Sequence, residues 1–98
     1  MQDSFETLEL ERVGQHVVIV RMNRPDAANA MNTQMGLELR DLYTSFYVDP
    51  GDTRCIVLTG AGDKAFCAGG DLKERNGMTD AQWQSQHALF EQMSMAMM

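Results

Sequence analysis

Two short apolar runs flank a stretch with helical spacing, and that order constrains the fold more than any other feature of the chain. Val17-Val-Ile-Val20 is an unbroken β-branched run that reads as a buried strand. Met35, Leu39, Leu42 and Phe46 then recur at intervals of four, three and four, which places them on one face of a helix. Arg54 to Thr59 follows, apolar in the manner of a strand covered on both faces. Strand, helix and strand in that order imply a right-handed crossover between parallel strands. The fold class is therefore α/β.

The punctuation between these elements agrees. Phe5 to Leu10 alternates in part and, with a turn at Gly14-Gln15, makes the first strand of an antiparallel hairpin with Val17–Val20. Arg24-Pro25-Asp26 breaks that hairpin, because proline donates no hydrogen bond and keeps its predecessor out of helical space. Asn32 is suited to cap the first helix, and Asp49-Pro-Gly-Asp52 stops it. Asp71-Leu-Lys-Glu74 has the form of a capping box, with Asp71 accepting from the backbone and Glu74 reaching back. Thr79-Asp-Ala-Gln82 repeats the signal and opens a last helix with Trp83, His87, Phe90 and Met97 expected on one side. The sequence stops at Met98 inside that apolar pattern without a stop signal, as in a chain that continues.

Bulk properties exclude several classes. The 98 residues suffice for one small domain, and a formal charge of −6 does not fit a nucleic-acid surface. No apolar run approaches the ~20 residues that span a bilayer. The acidic start, Met1-Gln-Asp-Ser-Phe-Glu6, lacks the features of a signal peptide. Cys55 and Cys67 lack metal-ligand spacing and read as reduced thiols, so the expected compartment is the cytoplasm and no metal is expected.

The glycine-rich stretch Leu58-Thr-Gly-Ala-Gly-Asp-Lys-Ala-Phe-Cys-Ala-Gly-Gly-Asp-Leu72 carries the chemistry. Gly60-Ala-Gly62-Asp-Lys-Ala65 formally satisfies the dinucleotide fingerprint after a strand, but the chain runs on through Phe66-Cys-Ala-Gly-Gly70 where the fingerprint needs a helix. Gly60 and Gly62 are explained as turn residues. Gly69 and Gly70 stand directly before the Asp71 cap, where backbone N–H groups are free and a helix dipole adds positive potential. Such donors stabilise a carbonyl that gains negative charge.

Phe66-Cys-Ala-Gly-Gly-Asp-Leu72 closely resembles the oxyanion-hole segment of the crotonase superfamily, the enoyl-CoA hydratases and isomerases. Met22-Asn-Arg-Pro-Asp-Ala-Ala-Asn-Ala-Met31 resembles the Asn-Arg-Pro signature of that family, and Cys55-Ile-Val-Leu-Thr-Gly60 the strand before its loop. The resemblance implies the first part of a spiral of strand-strand-helix turns, assembled in the parent as trimers or paired trimers. It implies an acyl-CoA thioester substrate, as in fatty acid metabolism, with no separately bound cofactor. By the same resemblance Gly70 donates a backbone N–H to the thioester carbonyl, and Ala68, Gly69 and Asp71 line the loop near the coenzyme. Asp26, Ala27 and Ala28 fall where the family contacts the pantetheine and adenine end. Many members carry lysine where this chain has Asp26, which weighs against a charge contact to the phosphates there. Lys73 also matches a frequent family lysine, although a solvated helix face explains it equally.

The second oxyanion donor and the usual catalytic glutamates belong to the later part of the family sequence, so the 98 residues alone are expected to be inactive. Within them Glu74 reads as a cap, His87 as an ordinary helix residue, His16 as part of the hairpin turn and Cys67 as a packing residue. Two other readings stand beside the hydratase: a different crotonase reaction such as isomerisation, and a non-catalytic module that binds through the Met- and Phe-rich face of the last helix. RNA binding, known among relatives of the family, is disfavoured by the acidic charge.

Overall fold

The computed structural model describes residues 5–63 and 66–98. Strands β1 (Leu8–Val13) and β2 (Val17–Met22) form the antiparallel hairpin, with Leu8 opposite Met22 and Val13 opposite Val17. Gly14 turns the chain with a φ of 67°, a conformation glycine adopts without strain. Helix α1 (Thr33–Val48) crosses over to β3 (Cys55–Gly60), which pairs in parallel with β2 from Val17–Cys55 to Met22–Gly60. The sheet order is β1-β2-β3, and two further helices, α2 (Leu72–Asn76) and α3 (Asp80–Ala96), follow.

One face of the sheet makes the core. Val18, Val20 and Met22 point inward and cluster with Leu8, Met35, Leu39, Leu42, Phe46 and Met93. Each such side chain is worth about 1.5–3 kcal/mol when fully buried. Val17, Ile19 and Arg21 alternate to the other face and stay half-buried, so the apolar run is not uniformly interior. The expectation that β3 is covered on both faces is corrected more sharply. Ile56 and Leu58 pack against the core, but Cys55 and Val57 face outward and are exposed. Gly60 is likewise the last residue of that strand, whereas Gly62 is the turn, with a φ of 81°.

The helix starts follow their caps. Asn32 accepts from the Met35 N–H, and Thr79 and Gln82 form the reciprocal capping box of α3. Helix α3 lies on α1 by a face that matches the one its large residues propose only in part: Phe90 lies over Gly36 and Met97 packs against the core. Gln86, Leu89 and Met93 are buried, while Trp83 and His87 stack on each other outside. Gly36 permits the close approach of the helices: a Cβ there would lie 2.6 Å from Phe90 Cε1.

Candidate functional site

The loop after β3 returns to the segment before α1 and pairs with it. Met31 donates its N–H to the Gly69 carbonyl (2.7 Å) and accepts from the Asp71 N–H (2.9 Å), a single parallel bridge centred on Gly70. In that pattern the central residue's own N–H and C=O point away from the bridging strand. The Gly70 N–H accordingly has no acceptor among the described residues. Farther up the loop, the Ala68 N–H bonds the Ala28 carbonyl at 3.0 Å. Gly69 has a φ of 96°, which a side chain rarely tolerates. The loop positions singled out in the sequence, Ala68 to Asp71, thus meet Ala28 and Met31 across about forty residues of chain.

Three side chains hold this junction. Pro25–Ala27 forms one turn of 3-10 helix, followed by Ala28 and Asn29 in the left-handed region (φ 51° and 56°). Asn29 is fully buried; its Oδ1 accepts from the Arg24 N–H (2.8 Å) and its Nδ2 donates to the Ala61 carbonyl (2.9 Å). Asparagine tolerates that backbone better than most residues, which is the local signal for its role. Arg24 donates through Nη1 to the Ala30 carbonyl (2.5 Å) and to Asp71 Oδ2 (3.0 Å). Asp71 Oδ1 meanwhile accepts from the Lys73 and Glu74 N–H groups. The Glu74 N–H, then the Arg24 guanidinium, hold the Asp71 carboxyl below its ordinary value, against the opposing effect of burial.

The second half of the expected capping box is replaced by a longer-range contact. Glu74 does not reach back to Asp71. Its Oε1 accepts from the Thr33 N–H (2.9 Å), the Thr33 hydroxyl (3.0 Å) and Gln86 Nε2 (2.6 Å). Glu74 therefore ties α2 to the start of α1 and to α3. The helix dipole at this end is also small, since α2 has only five residues and a macrodipole needs aligned turns. Arg75, not singled out from the sequence, lies against Gly70. A Cβ on Gly70 would fall 2.6 Å from the Arg75 Cζ.

The other candidates sort plainly. Asp26 is exposed on the 3-10 turn, with Ala27 and Ala28 half-buried beside it, and Lys73 is exposed on α2. Cys67 packs against the core. His16 Nδ1 meets the Asp52 carbonyl oxygen at 2.7 Å, in the hairpin turn. His87 pairs with Glu91 at 3.1 Å on the outer face of α3. No group of three metal-ligating side chains occurs among the described residues. No helix among them is long and apolar enough to cross a membrane.

The family model described as enoyl-CoA hydratase/isomerase matches residues 17–97. The chain belongs to the enoyl-CoA hydratase/isomerase family. Family relatives include the enoyl-CoA hydratase EchA19 of Mycobacterium tuberculosis, 50% identical over 65% of this chain and 23% of the relative. The (E)-benzylidenesuccinyl-CoA hydratase of Thauera aromatica is 42% identical over 63% of this chain and 24% of its own length. Among solved structures, an enoyl-CoA hydratase from Bacillus anthracis superposes with a TM-score of 0.87 at 34% identity, covering 93% of this chain and 35% of that one. The crotonase fold is thereby established for the sheet and helices described above. The chain spans about a quarter of the length of these curated relatives, and about a third of the solved chain.

Proposed function

We propose that this chain supplies one half of an oxyanion hole in an enzyme that hydrates an enoyl-CoA thioester. The observation that supports the reading is the Gly70 N–H, which the Met31 bridge leaves pointing away from Met31 and which has no acceptor among the described residues. When water adds to the β-carbon of the enoyl group, the electron pair of the C=C bond moves toward the thioester carbonyl. The Gly70 N–H stabilises the negative charge that develops on its oxygen, and a proton delivered to the α-carbon completes the addition. The relatives' names support a CoA thioester as substrate. In this reading Ala27, Ala28, Ala68 and Gly69 lie along the coenzyme, with Asp26 at its outer end. Asp71 acts through the loop, since both of its oxygens are already engaged.

The reading assigns the second donor and the acid–base carboxylates to residues outside these 98, in an assembly of trimers or paired trimers. Glu74 is not given that work, because its Oε1 already accepts three hydrogen bonds. The 98 residues alone should show no turnover of crotonyl-CoA. In the complete protein, Gly70→Pro removes the N–H and should lower kcat roughly 10²–10³-fold. Retention of activity within about tenfold by a folded Gly70→Pro variant would overturn the assignment.

A further inference from the structure

Arg75 is placed unusually for a surface cation. Its Nε donates to Gln86 Oε1 (3.2 Å), and its Cζ lies 5.9 Å from the centroid of the Phe90 ring. The guanidinium then presses on Gly70: Cζ, Nη2 and Nη1 lie 2.6, 2.7 and 2.9 Å from where a Cβ on that residue would stand. Absence of a side chain at Gly70 is what lets the cation reach the loop backbone. Arg75 is half-buried, yet no carboxylate pairs with it among the described residues, and Nη1 and Nη2 have no hydrogen-bond partner there. A partly desolvated charge is costly unless something compensates it.

The space beside it has a matching character. Arg75 borders an open recess of about 570 Å³ whose other walls are Leu72, Lys73, Asn76 and Trp83. Among the described residues two cations and no acid line it, with an aliphatic and an aromatic side chain beside them. Glu74, the adjacent acid in sequence, is turned toward Thr33 and Gln86 instead. Gln86 and Phe90 fix the plane of the guanidinium, and its two free terminal nitrogens form the fork that matches a carboxylate.

Resting on the oxyanion-hole reading of Gly70, we propose that the acyl group of the substrate carries a carboxylate, which the Arg75 guanidinium binds. A thioester whose carbonyl meets the Gly70 N–H has its acyl portion adjacent to the guanidinium. An anionic terminus supplies the carboxylate partner that the described residues do not, and the intervening carbons lie along Leu72 and Trp83. Lys73 adds long-range attraction without a fixed contact. A methyl-terminated acyl chain would leave the guanidinium desolvated and unpaired, so the site discriminates against it.

The test uses the complete protein and two trans-enoyl-CoA thioesters of equal chain length, one ending in a carboxylate and one in a methyl group. The wild type should favour the carboxylate-ended thioester in kcat/KM by roughly tenfold or more. Arg75→Met should lower kcat/KM for that thioester roughly 10- to 100-fold, while changing the methyl-ended one by less than about threefold. Arg75→Lys, which keeps the charge without the fork, should fall between them. Equal losses on both thioesters, or no change on either, would overturn the inference. So would weaker calorimetric binding of coenzyme A itself to folded Arg75→Met, which would assign the cation to the coenzyme phosphates. If the wild type hydrates both thioesters equally, only the carboxylate inference fails. If it binds neither thioester, the oxyanion-hole reading fails with it.

Discussion

Arg24 offers the most direct test of how the loop is held. Its Nη1 joins the Ala30 carbonyl on one side of the junction to Asp71 Oδ2 on the other, at 2.5 and 3.0 Å. The Arg24 and Asp71 side chains are 23% and 13% exposed, so solvent screens the pair only in part. Charge-assisted hydrogen bonds contribute about 1.5–3 kcal/mol each, and the residual exposure favours the lower end. Arg24→Met should therefore remove about 2–4 kcal/mol of local restraint. The two Met31 bonds remain, at about 1 kcal/mol each, so the junction loosens rather than dissolves. A misplacement of ~1 Å at a reacting group can cost ~10²-fold in rate. In the complete protein, kcat for crotonyl-CoA should fall roughly 10- to 100-fold, with KM changed less than about threefold. Arg24→Lys should recover part of the loss, because one ammonium matches the two acceptors less well. A folded Arg24→Met variant with kcat within about twofold of wild type would refute the argument.

Two further outcomes follow from single contacts. Glu38 is 3% exposed and accepts from the Glu6 N–H, the Thr7 N–H and the Thr7 hydroxyl, so Glu38→Ala strands two buried donors on Thr7. It should destabilise the fold by about 2–5 kcal/mol, read as a lower denaturant midpoint at unchanged slope; a loss under about 0.5 kcal/mol would contradict it. Asp71 titrates below its ordinary value of 3.8, so its contribution is present above that value and is lost as the pH falls through the lower folded value. Hydrogen exchange at the Lys73 and Glu74 amides should separate wild type from Asp71→Asn at about pH 5. The two should converge in acid below the folded value, and a constant gap across that range would exclude the linkage.

Much of the fold was legible because local physics and tertiary packing agreed. The four-three-four spacing of Met35, Leu39, Leu42 and Phe46 became the buried face of α1, and the Thr79 capping box formed as written. Periodicity misled where size was taken for burial. Trp83 and His87 are large but stack outside, while Gln86 is buried because Thr33 and Glu74 give its amide partners. The Glu74 cap failed for the same reason: Thr33 and Gln86, far away in sequence, competed successfully for its carboxylate. Continuous hydrophobicity in β3 did not distinguish two covered faces from one, since strand composition carries no record of what lies on each side.

By itself the sequence determined the order of elements, the parallel crossover and the three segments that carry the family motifs. Those depend on backbone preference, spacing and proline or glycine chemistry, all of which act within a few residues. Only the tertiary structure decided that Met31 pairs around Gly70, that Arg24 and Asn29 staple the junction, and that Arg75 rests on the loop without an acidic partner among the described residues. Each of those facts joins residues distant along the chain or depends on the three-dimensional path between neighbours. Folding selects such contacts by satisfying buried donors, acceptors and charges together.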